Sequence, residues 1–327
     1  MSTLIIYSPA GAVAQARPLR LAAKRLQALG FEVQLDSDVL ARQQRFGGDD
    51  ATRLEALHRV ARAQPHVALA SRGGYGLTRL LDQIDWKLLA HAAEHGTRWV
   101  GLSDLTALQL GLLAHTGAMS WSGPLAVADF GVSQADGGVD EVTRDCFLEA
   151  MDGSLEAVGF RETVSRRGEA RFDGLEARGT LWGGNLTMLC SLLGTRHFPR
   201  IKGGILFLED VAEHPYRIER QLLQLQQAGV LDAQKAVLLG EFSAWKKSPL
   251  DKGYGLADAF AAVQSRTSTP LLSGLPYGHV RTKVTLPIGP KVDLLVQGRD
   301  VMVAWGHDIQ PQPKGHNSHS CEVCAAR

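Results

Sequence analysis

Along the first part of the chain the apolar positions switch repeatedly between a strand period and a helix period. Residues 4–7 form a short apolar run that ends in Ser8-Pro9-Ala10-Gly11, a strand followed by a turn. Residues 19–29 have helical spacing and stop at Gly30, and residues 31–35 alternate as a second strand. Residues 50–63 predict an amphipathic helix, and residues 67–70 a third strand running into Arg72-Gly73-Gly74-Tyr75-Gly76. Residues 99–102 predict a fourth strand, followed by a helix from residue 104 to residue 114. Strands separated by helices imply right-handed crossovers and a mostly parallel sheet. In such sheets the reactive groups collect on loops at the carboxyl ends of the strands.

From residue 133 to residue 174 the pattern loosens into glycine turns and a charged stretch. This reads as a surface connection with short elements inside, and a domain boundary is expected between residues 160 and 175. Beyond it, residues 177–182 predict a strand closing in Gly183-Gly184-Asn185, followed by a helix at 186–193 and a buried strand at 204–208. A helix at 216–228, a strand at 236–240 and a helix at 256–265 come next, and residues 291–296 and 301–305 read as a hairpin. The second half is α+β and less regular than the first. The expected organisation is therefore an α/β domain over residues 1–165, an α+β domain over residues 166–307 and a disordered tail over residues 308–327.

A length of 327 residues fits two domains. The chain is 45% hydrophobic and 21% charged, an ordinary globular composition. Its 35 basic and 34 acidic side chains leave a formal net charge of +1, so no global field attracts nucleic acid or an anionic membrane. The N-terminal segment has one short apolar run with no basic residues before it, unlike a secretory signal. No stretch approaches the roughly 18–20 apolar residues that span a bilayer. Cys146, Cys190, Cys321 and Cys324 are too few and too irregular for a disulfide framework, and Cys190 falls in an apolar helical pattern. A cytoplasmic, soluble protein is expected. In the tail, His316, His319, Cys321 and Cys324 supply enough ligands for a peripheral zinc site, although their compact spacing argues against one.

Four segments carry candidate chemistry. In Gly101-Leu102-Ser103-Asp104-Leu105-Thr106 a strand runs directly into a helix. A serine at such a junction either caps the helix or presents an exposed nucleophile with backbone N–H groups behind it. The second glycine of the Gly-x-Ser-x-Gly elbow is missing, since Leu105 stands there. The Gly73-Gly74-Tyr75-Gly76 loop is either a plain turn or a nest of donors, and it matches neither the Walker nor the dinucleotide pattern. Glu209 and Asp210 end an apolar strand, where an unpaired carboxylate is costly. His279, one of 11 histidines, follows a Pro-x-Gly turn among basic residues. The order serine, acid, histidine is one known order for a catalytic triad.

Six motifs in sequence, from residue 4 to residue 305, resemble the LD-carboxypeptidases, also called muramoyltetrapeptide carboxypeptidases. They are Ser8-Pro9-Ala10-Gly11, Arg72-Gly73-Gly74-Tyr75-Gly76, Gly101-Leu102-Ser103-Asp104-Leu105-Thr106, Gly183-Gly184-Asn185-Leu186, Leu208-Glu209-Asp210-Val211 with Pro215-Tyr216-Arg217-Ile218, and Gly278-His279 with Lys283-x-Thr285-Leu286-Pro287-x-Gly289. The resemblance implies a flavodoxin-like or glutamine-amidotransferase-like N-terminal domain, a smaller β-rich C-terminal domain, and a homodimer with the active site between domains. It implies Ser103 as nucleophile, Glu209 as acid and His279 as base, with oxyanion donors from the backbone of Asp104 and of Gly73 or Gly74. No metal or organic cofactor is implied. The implied reaction removes terminal D-alanine from an L-centre, meso-diaminopimelate or L-lysine, in a murein tetrapeptide during peptidoglycan recycling.

A carboxypeptidase must hold a free carboxylate, for which Arg72, Arg281 and Lys283 are candidates. Tyr75, Trp182 and Asn185 are candidates to line the peptide groove, Trp182 being equally suited to packing. Two rival readings remain: a related self-immunity hydrolase that cuts a peptidyl-nucleotide antibiotic, and a non-catalytic peptide-binding protein on the same scaffold.

Overall fold

A computed structural model describes residues 2–163 and 171–306. The expected boundary at residues 165 and 166, the expected disordered tail and the tail's candidate zinc ligands lie outside the described residues. Two mixed sheets organise the chain. The first has the order β11-β5-β4-β3-β1-β2, with β1 (Ser2–Tyr7), β2 (Phe31–Leu35), β3 (Val67–Ala70), β4 (Arg98–Gly101) and β5 (Ser120–Ser122) all parallel. Helices α1 (Ala16–Ala28), α2 (Asp50–Ala63), α3 (Trp86–Glu94) and α4 (Leu105–Thr116) make the crossovers. Every residue of β3 and β4 is buried, as expected for inner strands covered on both faces.

The second sheet has the order β10-β9-β8-β7-β12-β13-β6. Strands β7 (Glu176–Asn185), β8 (Ile205–Val211), β9 (Ala236–Ser243) and β10 (Leu271–Ser273) run parallel, joined by α6 (Leu186–Leu192), α7 (Pro215–Gln227) and α8 (Leu256–Gln264). The hairpin β12 (Lys291–Gln297) and β13 (Asp300–Ala304) and the strand β6 (Ala157–Arg161) complete it antiparallel. The second half thus contains its own parallel unit beside an antiparallel one.

The stretch expected to be a loose connection holds a full helix, α5 (Glu141–Asp152), besides β6. Its apolar stripe of Cys146, Phe147, Ala150 and Met151 begins on Thr143, a polar residue that is nonetheless buried, and so the period is hard to see in the sequence. Asp140 caps its start through the Thr143 amide, and Gly153 at φ 89° ends it.

Two features bring the sheets' functional ends together. Helix α4 is buried almost all round because it packs against α3 and β5 on one side and α6 and β7 on the other. After β10 the chain leaves the second sheet, and β11 (Leu286–Ile288) pairs antiparallel with β5 at the edge of the first. Pro287 is tolerated there because an edge strand leaves one side of its backbone unpaired. The segment carrying His279 is this crossing between sheets.

Candidate active site

Ser103 stands between β4 and α4 with φ 69°, a left-handed conformation that a non-glycine residue rarely takes. The turn lifts the half-buried side chain off the sheet edge, and the Ser103 carbonyl accepts the Thr106 amide at 3.0 Å to start the helix. The loop after β3 is pressed against this serine. A methyl group on Gly73 would lie 2.6 Å from Ser103 Cβ and 2.7 Å from Oγ, so only glycine lets that backbone come so near. The Ser8-Pro9-Ala10-Gly11 motif supports the same loop, with the Gly11 amide donating to Gly73 O at 3.1 Å. Among the described residues, the amides of Gly73, Gly74 and Asp104 donate to no protein acceptor, and Ser103 Oγ forms no hydrogen bond.

On the second sheet, Glu209 stands two residues before the end of β8, at the register shift against β9, with 0% exposure. Its Oε2 is 2.7 Å from His279 Nδ1, and its Oε1 accepts Asn185 Nδ2 at 3.1 Å. Both carboxylate oxygens are therefore satisfied, which offsets the desolvation that burial imposes. With Nδ1 directed at a carboxylate, Nε2 is the ring nitrogen left for other chemistry. Gly278, at φ 137°, lets the loop approach: a Cβ there would sit 3.2 Å from both Cβ and Oε2 of Glu209. Ser243 Oγ donates to the His279 carbonyl at 3.1 Å and fixes the loop to the end of β9.

Two chains of contacts join the serine side to the histidine side. Asn185, buried at the end of β7, donates its backbone amide to Thr106 Oγ1 on α4 at 3.0 Å while its side chain holds Glu209. Tyr277, two residues before His279, is hydrogen-bonded to Ser122 Oγ, and Ser122 pairs with Gly101 across β4 and β5. Leu102 and His279 line one cavity of about 370 Å³, together with Asp129, Asp136, Asp140, Arg281 and Lys283.

The profile of the LD-carboxypeptidase N-terminal domain matches residues 4–123, and that of the LD-carboxypeptidase C-terminal domain matches residues 178–294. A murein tetrapeptide carboxypeptidase of Pseudomonas aeruginosa is 30% identical over 290 residues, covering 87% of this chain and 90% of its own. The crystal structure of a muramoyltetrapeptide carboxypeptidase from Oxalobacter formigenes superposes with a TM-score of 0.83 at 37% identity, covering 93% of this chain and 99% of that one. The chain belongs to the LD-carboxypeptidase family. The family is one of serine-type peptidases. A more distant relative, the microcin C7 self-immunity protein of Escherichia coli, is 25% identical over 231 residues, or 62% of this chain and 64% of its own. Its structure in complex with aspartyl sulfamoyl adenosine shares the fold at a TM-score of 0.81 and 19% identity, over 94% of this chain and 96% of that one.

The remaining expected residues of this LD-carboxypeptidase fall in different places. Tyr75 is 46% exposed on the glycine loop, with the Arg45 guanidinium 5.9 Å from its ring centre. Arg72 is half-buried and donates to Ala12 O at 3.0 Å. Arg281 is exposed at the cavity rim and bonds the Gly137 carbonyl. Lys283 also faces that cavity, but it is buried and already ion-paired with buried Asp129. Trp182 departs from the groove expectation. It is fully buried, donates its indole N–H to Gln234 Oε1 at 3.0 Å and meets Phe198 edge-on, so it serves as core. Asn185 has no exposed face for a peptide; its polar atoms are used on Glu209, on Asp210 and on the Met188 amide that starts α6.

Asp210, the neighbour of Glu209, points the other way. Its carboxylate accepts the amide of Thr187 at 2.9 Å and its hydroxyl at 2.8 Å, and burial raises its pKa. Reading along the chain missed Asp129 and Ser122 and gave Thr106 no part of its own, because their partners are far away in sequence. The described residues contain no group of three or more His, Cys, Asp or Glu side chains arranged to hold a metal, and no helix among them is long and apolar enough to cross a membrane.

Proposed function

We propose that this LD-carboxypeptidase hydrolyses the bond between an L-centre, meso-diaminopimelate or L-lysine, and the terminal D-alanine of murein tetrapeptides, with Ser103, Glu209 and His279 as its triad. The observation that carries the reading is the pairing of two features: a serine held at φ 69° against a bare glycine loop, and a buried Glu209 holding His279 Nδ1 at 2.7 Å. The murein tetrapeptide carboxypeptidase of Pseudomonas aeruginosa supplies the substrate class.

In this reading His279 Nε2 takes the Ser103 proton as Oγ attacks the scissile carbonyl. Glu209 keeps the imidazole in the required tautomer and stabilises its charged form. The amides of Asp104 and of Gly73 or Gly74 receive the oxyanion, each worth about 10²–10³ in turnover. His279 then protonates the departing D-alanine amine, and water attacks the acyl-enzyme. This reading requires Ser103 Oγ and His279 Nε2 to come within hydrogen-bond reach in the substrate complex. Arg72 and Arg281 are the side chains for the terminal carboxylate. Lys283 serves only by exchanging Asp129 for substrate.

The division into a nucleophile-bearing unit over residues 1–165 and an acid- and base-bearing unit over residues 166–307 belongs to the same proposal. So do a cytoplasmic location and a homodimer, which fractionation and sedimentation test.

The deciding assay incubates the protein with L-Ala-γ-D-Glu-meso-diaminopimelate-D-Ala and follows it by mass spectrometry, beside Ser103→Ala. Release of one D-alanine by the native protein alone is expected. If neither releases it, and an aminoacyl sulfamoyl adenosine is cleaved instead, the antibiotic-immunity reading replaces this one.

A further inference from the structure

The amides proposed for the oxyanion lie on separate segments. One is the N–H of Asp104, at the start of α4. The other belongs to Gly73 or Gly74, in the loop after β3. For both to reach one oxygen, something must hold the loop to the helix.

Three hydrogen bonds fasten the loop elsewhere. The Gly11 amide donates to Gly73 O at 3.1 Å, Arg72 to Ala12 O at 3.0 Å, and Arg53 to Gly76 O at 2.8 Å. These tie the loop to the segment after β1 and to α2, and none of them touches α4. The side chain of Asp104 does. Its Oδ2 accepts the amide of Leu77, the residue that follows Gly76, at 2.8 Å.

This carboxylate is an odd choice if stability were its only task. It is 2% exposed, and besides Leu77 the neighbouring Gly76 amide favours its charged form. It also accepts nothing from the amides of α4, so it is no cap for its own helix. A buried carboxylate costs more than a neutral side chain would. Burial accordingly pushes its pKa up to about 6, against the opposing effects of the Leu77 bond, of nearby Arg53 and of the Gly76 amide.

We propose that the Asp104 carboxylate is a positioning residue that locks the glycine loop to the nucleophile's helix, so that oxyanion donors on the two segments converge. The inference rests on the serine-peptidase reading above. An asparagine keeps an oxygen for the Leu77 amide, whereas alanine or serine cannot reach it.

The test compares native protein, Asp104→Asn, Asp104→Ala and Asp104→Ser as full chains. Steady-state turnover of the tetrapeptide is measured with hydrogen exchange of the peptide covering residues 72–77 and with thermal midpoints to check folding. The alanine and serine variants are expected to speed exchange in that peptide about tenfold. Their kcat should fall about 10- to 100-fold, with KM within about threefold of native. Asparagine should restore slow exchange and bring kcat to within about fivefold of native. If alanine fails to fold, serine decides the comparison.

Unchanged exchange in a folded alanine or serine variant overturns the proposal. So does a rise in KM with kcat intact, or an asparagine variant as impaired as alanine. A native protein that hydrolyses no tetrapeptide would instead remove the functional reading, and the exchange comparison would still decide whether Asp104 holds the loop.

Discussion

Near the carboxyl ends of β4 and β8 stand Ser103 and Glu209, two side chains of the proposed triad, and the chain holds them there by different physics. At β4 the device is steric. Ser103 sits at φ 69°, at a conformational cost of about 1–3 kcal/mol, and bare glycine backbone fills the space against its side chain. At β8 the device is polar. Glu209 has 0% exposure and is kept there by hydrogen bonds from His279 and Asn185. The first arrangement is sensitive to added volume, and the second to a lost partner or a lost charge.

The largest expected effect comes from removing the proposed attacking atom itself. Ser103→Ala should lower kcat at least about 10⁴-fold while the thermal midpoint moves by no more than about 3 °C. Near-native hydrolysis by this variant would end the comparison, because β4 would then carry no nucleophile. Next is Glu209→Gln, which keeps the shape of the β8 end and removes its charge. It should cost about 10³–10⁴ in kcat with a native circular dichroism spectrum, and a loss of under tenfold would mean that the carboxylate does not serve His279. Gly73→Ala probes the steric side with no change in charge. Its methyl would have to displace Ser103, so kcat should drop about 100-fold and stability by about 1–3 kcal/mol in denaturant titration. Native kinetics here would show that the loop yields easily.

The smallest effect sharpens the contrast through pH. Asp104 has its folded pKa raised from 3.8 to about 6, chiefly by burial. The unfolded chain therefore ionises this group first, and its contribution to stability is complete below pH 3.8 and is lost as pH rises through about 6. The native protein should thus lose stability relative to Asp104→Asn between pH 4 and pH 7, by about 2–3 kcal/mol. Parallel stability curves for the two proteins would show that the carboxylate is not strained by its surroundings.

Most strands and helices were readable from periodicity, down to identical limits at Phe31–Leu35, Asp50–Ala63 and Val67–Ala70. The exceptions have physical causes. Strand β5 is three residues long, too short to show a period, and α5 hides its stripe behind the buried Thr143. Among the candidate site residues, reading by type could not separate Trp182, which is core, from Tyr75, which is exposed. Nor could it tell that Lys283 is already neutralised by Asp129 while Arg281 reaches the cavity rim.

What the chain alone determined is local: the alternation of strands and helices, the serine at a strand-to-helix junction, and the ordered motifs that mark the family. These follow from side-chain period and backbone preference, which act over a few residues. Only the tertiary structure decided that Glu209 meets a histidine 70 residues away and that Asp104 reaches Leu77 across 27. Such contacts depend on how the two sheets pack around α4 and on the crossing of the His279 segment between them, and no pattern of neighbouring residues encodes that distance.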